Sequence, residues 1–375
     1  MFGETGYNPT AFNQPTYMAL GIYWATACLC IVVAVLALNI MGFFSGTNKF
    51  DVDGRTVIIT GGSQGMGRGL AKILSQKGAN IVIVARTQSK LDDALKYITA
   101  AAKNPGKQRF LSISADVTIA EENIRIIDEV TTWNHGSPPD VVWANAGQAH
   151  PGLFVDTPLE ISRSQMDMNY WAAAYLSHAT LRSWLRPSPE KLSKPRHLIM
   201  TSSVACYVGL AGYTPYAPAK AAMRSLADTL RSELNMYNGA RRNKSAAADS
   251  SPAAEVKVHV VVPGTIKSPG LVNEDKVKHE VTKILEEGDI AQTEDEVAAA
   301  AIRRLETGGY MITTQLLGDA MRAGGLGGSP RNNWLIDTIF GWIIHFAWLF
   351  IGPDMERKVW AYGKEKGAVY RPESS

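Results

Sequence analysis

Cysteine is scarce: of three in 375 residues, Cys28 and Cys30 lie inside one apolar run and Cys206 stands alone. Neither a disulfide framework nor a four-ligand zinc site can be assembled from them, and this usage suits a reducing compartment. An excess of one charge is also missing. Lys and Arg number 38 against 35 Asp and Glu, which denies the chain the basic face of a dedicated nucleic-acid binder. Charged residues make up only 19% and hydrophobic ones 46%, a balance that excludes global disorder and allows one large domain or two ordinary ones to bury a core.

Charge is absent altogether between Glu4 and Lys49. Within that stretch Met18 to Ile40 reaches the roughly 20 apolar residues that cross a bilayer as a helix. A cleaved signal would need a basic leader, and none of the first 17 residues is Lys or Arg. With Glu4 before the span and Lys49 and Arg55 after it, the positive-inside rule puts residues 1–17 in the lumen and the bulk of the chain in the cytosol. A second apolar run, Trp334 to Ile351, is shorter, rich in tryptophan and interrupted by Asp337 and His345. Arg331 precedes it, and Arg357, Lys358, Lys364 and Lys366 follow in a basic tail over 352–375. Both flanks therefore prefer the cytosol, and a helix lying in the bilayer interface is expected, with a buried core helix as the alternative.

Between these runs, short segments rich in Val and Ile (TVIIT at 56–60, NIVIVA at 80–85, FLSISA at 110–115, DVVWA at 140–144, HLIMTS at 197–202, VKVHVVV at 256–262) alternate with stretches of helical periodicity. Continuous apolar strands alternating with helices imply a doubly wound, Rossmann-like α/β domain with a parallel sheet, over about residues 51–321. Residues 238–254 have the small, polar composition of a loop.

TVIIT runs into GGSQGMGRGLAKIL. This places Gly61, Gly65 and Gly67 at a strand-to-helix turn, where backbone must bend sharply and approach a pyrophosphate, so a dinucleotide is expected. The second strand ends in Arg86 rather than in the acidic residue that would bond an unphosphorylated ribose. A guanidinium there, assisted by Ser63, Arg68 and Lys90, favours NADPH over NADH.

The order of the remaining polar motifs brings in a family. TGGSQGMG at 60–67, ADV at 115–117, ANAG at 144–147, Asn169, Ser203, and Tyr216 and Lys220 in YAPAK together resemble the short-chain dehydrogenase/reductase family. The resemblance implies a catalytic tetrad of Asn169, Ser203, Tyr216 and Lys220. It also implies cofactor contacts from Met66, Asp116, Val117, Asn145, Ala146, Gly147, Pro263 and Gly264, besides the glycines, and from Tyr216 and Lys220 themselves. The residue types suit the chemistry: ketone reduction needs a hydrogen-bond donor at the oxygen as negative charge develops. Tyr216 can be that donor, and Lys220, one helical turn on, is expected to lower its pKa. Ser203 would donate a second bond, and Asn169, as the resemblance suggests, would hold a water linking Lys220 to solvent.

Segments at 216–234, 263–271, 293–302 and 308–314, together with the two terminal runs, narrow the resemblance to a membrane-bound branch of that family. What this implies is NADPH-dependent reduction of the long-chain keto-lipid 3-ketosphinganine to sphinganine, on the cytosolic face of the endoplasmic reticulum, in sphingolipid synthesis. Residues 263–291 would then be a substrate-covering lid, against the plainer reading of a solvated charged helix. A membrane steroid or retinoid dehydrogenase, or a non-catalytic NADP(H)-binding scaffold, would carry many of the same features; whether the chain forms a homo-oligomer is left open.

Overall fold

Strand β1 (Thr56–Thr60) is buried at every residue, and alternation along it decides the layering. Ile58 joins one hydrophobic cluster, while Val57 and Ile59 join another on the opposite face. The same division continues through β2 (Asn80–Ala85), β4 (Val141–Ala144) and β5 (Arg196–Thr201). The sheet is thus covered twice, as the apolar runs require. The computed structural model describes residues 47–243 and 250–367; the proposed span over 18–40 and the segment before it lie outside them.

Seven parallel strands stand in the order β3-β2-β1-β4-β5-β6-β7, with β3 at Phe110–Ser114, β6 at Val256–Val262 and β7 at Met311–Thr313. The order reverses between β1 and β4, the switch point where doubly wound sheets bind ligands beyond the strand ends. One face carries α1 (Gly65–Gln76), α2 (Gln88–Ala100) and α9 (Glu294–Glu306). The other carries α3 (Ala120–Trp133), α5 (Ala172–Trp184) and α6 (Ala217–Arg241). Helix α4 (Leu159–Met166) runs into α5 through a wide π-type turn at Asp167–Trp171.

Three features depart from the sequence expectation. Strand β7 has only three residues, too short for its alternation to register. The stretch expected as a loop from residue 238 begins inside α6, and Asn238 is tied to β6: its Nδ2 donates to Val256 O at 3.0 Å and its Oδ1 accepts from Val256 N at 2.9 Å. Arg55, counted as a cation beside the bilayer, is buried and donates to Pro195 O at 2.6 Å.

Beyond β6 the chain forms α7 (Pro269–Val277) and α8 (Glu280–Leu285), and after β7 it forms α10 (Leu316–Gly325) and α11 (Trp334–Lys366). Helix α11 has 33 residues and is long and apolar enough to cross a membrane by length and composition. It continues past Ile351 through Pro353 into the basic segment. Asp337, an interruption in the sequence pattern, is the anchor of this helix. It is buried at 4% exposure, accepts from Arg322 Nη2 at 2.8 Å, and takes the backbone N–H groups of Asn332 and Asn333.

Candidate active site

A cavity of about 1420 Å³ opens over the switch point, from the glycine turn past Tyr216 to α11. Pockets that hold a single drug-sized ligand measure roughly 300–1,000 Å³. There is room for a dinucleotide and a second molecule.

At the turn, Gly61 and Gly65 have φ of +67° and +55°, a left-handed backbone that a side chain would strain. At Gly67 the constraint is space: a Cβ would lie 2.2 Å from Gly61 O. Helix α1 begins here with no side-chain cap and no acidic residue in its first turn. Its first residues, Gly65, Met66 and Gly67, line the cavity. Uncapped N–H groups at a helix start favour an anion, so the turn fits a pyrophosphate.

The wall opposite is held from below. Thr60 Oγ1 accepts from the backbone N–H groups of Asn145 and Ala146 at 3.0 and 3.1 Å, and Thr201 Oγ1 donates to Asn145 Oδ1 at 3.0 Å. Asn145 therefore braces the wall through its side chain, while Ala146 and Gly147 offer backbone to the cleft. Ser63, Arg86 and Lys90 line the same cavity with Asp116 and Val117. Partial burial would raise the Asp116 carboxyl, but hydrogen bonds from Thr118 N and Oγ1 hold it below its usual range. Arg68 is not among the residues lining the cavity; its Nε and Nη2 both donate to Glu294 Oε1 of α9, at 3.0 and 2.6 Å.

The four expected catalytic residues converge. Tyr216 stands at the start of α6, and Lys220 lies one turn on, with Nζ 5.6 Å from the Tyr216 ring centre. Lys220 is buried, and Nζ donates to Thr201 O at 2.9 Å. Ser203 follows β5 and caps a short turn, Val204–Cys206, accepting from Ala205 N at 3.3 Å. Asn169 sits in the π-type turn, fully buried, with Nδ2 donating to Gln148 O and Gln165 O at 2.9 and 3.0 Å. Gly147 is where these groups meet: a Cβ there would be 2.7 Å from Asn169 Oδ1 and 3.1 Å from Lys220 Nζ.

Electrostatics differ from the sequence expectation. Burial pushes the Tyr216 phenol above its ordinary value, a hydrogen bond from Ser203 works against it, and the Glu274 charge adds to the rise. Burial also lowers Lys220 to about 8. The low dielectric of the cleft floor acts on both charged forms before either residue acts on the other.

Pro263 and Gly264 line the cavity where β6 ends, and Pro263 O accepts from Val204 N at 3.1 Å, so this loop also fixes the turn behind Ser203. From there α7 and α8 close one side. Charge in this segment is not simply solvated. Lys278 is 4% exposed in its side chain, among Glu286 at 2.7 Å, Glu274 at 3.1 Å and Asp275 at 3.2 Å. Tyr213, three residues before Tyr216, hydrogen-bonds both Glu274 and Glu286. Thr282 Oγ1 donates to Ala211 O at 2.8 Å. Sequence reasoning missed Tyr213 and Thr282, along with Tyr207, Leu317 and Met321 on the cavity wall. Only the proximity of Tyr213 to Tyr216 could have marked any of them.

Comparison with known proteins agrees with this geometry. The short chain dehydrogenase family model matches residues 55–278. The 3-ketodihydrosphingosine reductase ksrA of Aspergillus fumigatus is 49% identical over 342 residues, covering 90% of this chain and 92% of that protein. The 3-ketodihydrosphingosine reductase gsl-3 of Neurospora crassa is 42% identical, covering 93% of each. Among solved structures, a short chain dehydrogenase from Burkholderia cenocepacia in complex with NADP superposes with a TM-score of 0.54 at 18% identity, covering 74% of this chain and 94% of that one. With the glycine turn, the Asn-Ser-Tyr-Lys cluster and the seven-stranded parallel sheet all in place, the chain belongs to the short-chain dehydrogenase family.

Proposed function

We propose that this protein reduces 3-ketosphinganine to sphinganine with NADPH, as a membrane-associated enzyme of sphingolipid synthesis whose catalytic domain faces the cytosol at the endoplasmic reticulum. The observation that carries the reading is one cavity with two characters. It is polar and glycine-lined at the α1 end, is lined by Tyr216 and Lys220 further on, and reaches Leu317, Met321, Trp348 and Ile351 on α10 and α11, where His345, Asp354, Arg357 and Lys358 of α11 add polar groups to the lining. A hydrophilic dinucleotide and a long-chain ketone are the pair that such a gradient suits. Relatives named as 3-ketodihydrosphingosine reductases support the choice of ketone. Arg86 at the end of β2, exposed and near Lys90 and Ser63, supports NADPH.

When bound, the reduced nicotinamide would supply the hydride. The chain's own residues manage the proton and the charge. Tyr216, its phenol pushed up by burial, stays protonated at neutral pH and gives its proton to the carbonyl oxygen as that oxygen becomes anionic. Ser203 donates a second hydrogen bond to the same oxygen. The resulting phenolate is stabilised by the ammonium of Lys220, which Thr201 O holds in place. Asn169, locked by Gln148 and Gln165, keeps the π-type turn and the Gly147 wall at the distance this requires.

Purified full-length protein should oxidise NADPH when 3-ketosphinganine is added, faster than it oxidises NADH. Turnover of a keto-steroid with none of 3-ketosphinganine would overturn the reading.

A further inference from the structure

Helix α11 presents an apolar row at helical spacing: Ile344, Trp348, Ile351, Met355 and Val359. Steps of three and four residues keep these side chains on one face. The first four line the main cavity. Val359 lines a smaller groove of about 220 Å³, together with Gly209, Ala211, Glu356 and Trp360. Two residues, Leu285 of α8 and Met355 of α11, line both spaces. The row therefore leads out of the active-site cavity, passes the Leu285–Met355 pair and ends in the groove.

Ile344, against Gly324, and Met355 are part-buried, and the rest of the row is largely uncovered by protein. Trp348 is 40% exposed, Ile351 44% and Val359 36%, and Trp360 at the groove is 71% exposed. Apolar side chains that wall a cavity without a protein partner are completed by an apolar ligand. From Ile344 to Val359 the helix rises roughly 22 Å at 1.5 Å per residue, a length matched by an extended long-chain alkyl tail rather than by a compact ring system.

Resting on the function proposed above, we infer that the alkyl tail of the lipid substrate lies along this row and leaves the cavity between Leu285 and Met355, so that these two residues set the preference for chain length. The head, with its ketone, stays at Tyr216, and the end of the tail reaches Val359 and Trp360. Both gate residues come from elements outside the sheet, so the width of the passage follows the seating of α8 and α11 and is independent of the glycine turn.

Two measurements on the full-length protein in lipid nanodiscs test this. A sphinganine carrying a diazirine at the end of its alkyl chain, photolysed on the enzyme, should label Met355 to Trp360 or Leu285. Labelling confined to Trp334–Trp342 would overturn the inference, and because this readout needs no turnover, it separates failure of the channel from failure of the proposed reaction. Met355→Trp, or Leu285→Trp should the first not fold, should lower the ratio of kcat/KM for an 18-carbon over an 8-carbon 3-keto substrate tenfold or more. An unchanged ratio, including a parallel loss for both substrates, would also overturn it.

Discussion

Strand β1 buries every residue, and around the glycine turn a single added Cβ at Gly67 would meet backbone at 2.2 Å. Across the same cavity, α7 buries none of its nine residues, and α11 leaves Trp342, Phe346 and Leu349 exposed by 66% or more. One side is fixed by backbone against backbone in a dry sheet. The other is held by side chains: the Arg322–Asp337 pair, the Lys278 cluster and the Tyr213 and Thr282 hydrogen bonds. Interactions of the second kind can be rearranged at a cost of a few kcal/mol each, whereas a sheet register cannot shift without turning its core residues outward. A rigid half suits a ligand that is the same in every turnover. An adjustable half suits a long, flexible one that must enter and leave.

The largest expected effect falls at the junction of the two halves. Tyr216→Phe should reduce turnover by about 10²–10⁴-fold, the usual contribution of a positioned acid, while leaving affinity for NADPH intact because the glycine turn is untouched. Comparing initial rates with binding of NADPH by fluorescence checks both parts. Retained turnover would remove Tyr216 from its role.

A second substitution separates the halves. Asp337→Ala leaves Arg322 buried at 7% exposure without its partner, and breaking such a pair costs roughly 3–5 kcal/mol. The loss should be local. Limited proteolysis should begin to release α11, and KM for the lipid should rise, while affinity for the dinucleotide stays near that of the unmodified protein. Equal losses for both ligands would mean that the two halves do not uncouple.

The smallest effect lies in the sheet itself, at a buried histidine pair. His259 Nδ1 faces Gly309 O at 2.7 Å, an acceptor only, so this nitrogen carries the proton. His259 Nε2 then accepts from His197 Nδ1 at 2.9 Å, which leaves His197 Nε2 buried without a donor. Burial lowers both histidines, His259 to about 4 and His197 well below its ordinary value. Because the folded-state pKa is depressed, the unfolded chain binds more protons below about 6.5. Stability is therefore complete above that pH and is lost as pH falls towards 4, by on the order of 3 kcal/mol for His259. Denaturant midpoints measured between pH 7 and pH 4.5 should fall, and His259→Gln should flatten the slope. An unchanged slope would show that the pair does not govern acid sensitivity.

The sheet half was legible because its constraints are local. A glycine turn needs its glycines within a few residues of the strand end, and Tyr216 and Lys220 share a helix face by spacing alone. The half built from α7, α8 and α11 was legible in outline only. Arg68 read as a residue that could assist Arg86 at a phosphate, and Glu294, far along the chain, draws it to α9 instead. The plainer alternative for residues 263–291, a solvated charged helix, fails at Lys278 and Glu286, which close into a part-buried cluster with Tyr213. Asp337 read as a flaw in an apolar run, and Arg322 makes it the anchor. In each case the partner that sets the role is distant in sequence, or lies on a separate helix, and periodicity carries no information about it.

The sequence by itself determined the alternation of strands and helices, the dinucleotide turn and the shared helix face of Tyr216 and Lys220, since each depends on residue type and spacing within one element. Only the tertiary structure decided the electrostatics at Tyr216 and Lys220 and the partners that hold Arg68, Lys278 and Asp337. Those depend on which surfaces are removed from water together, and that is a property of the packed chain rather than of any stretch of it.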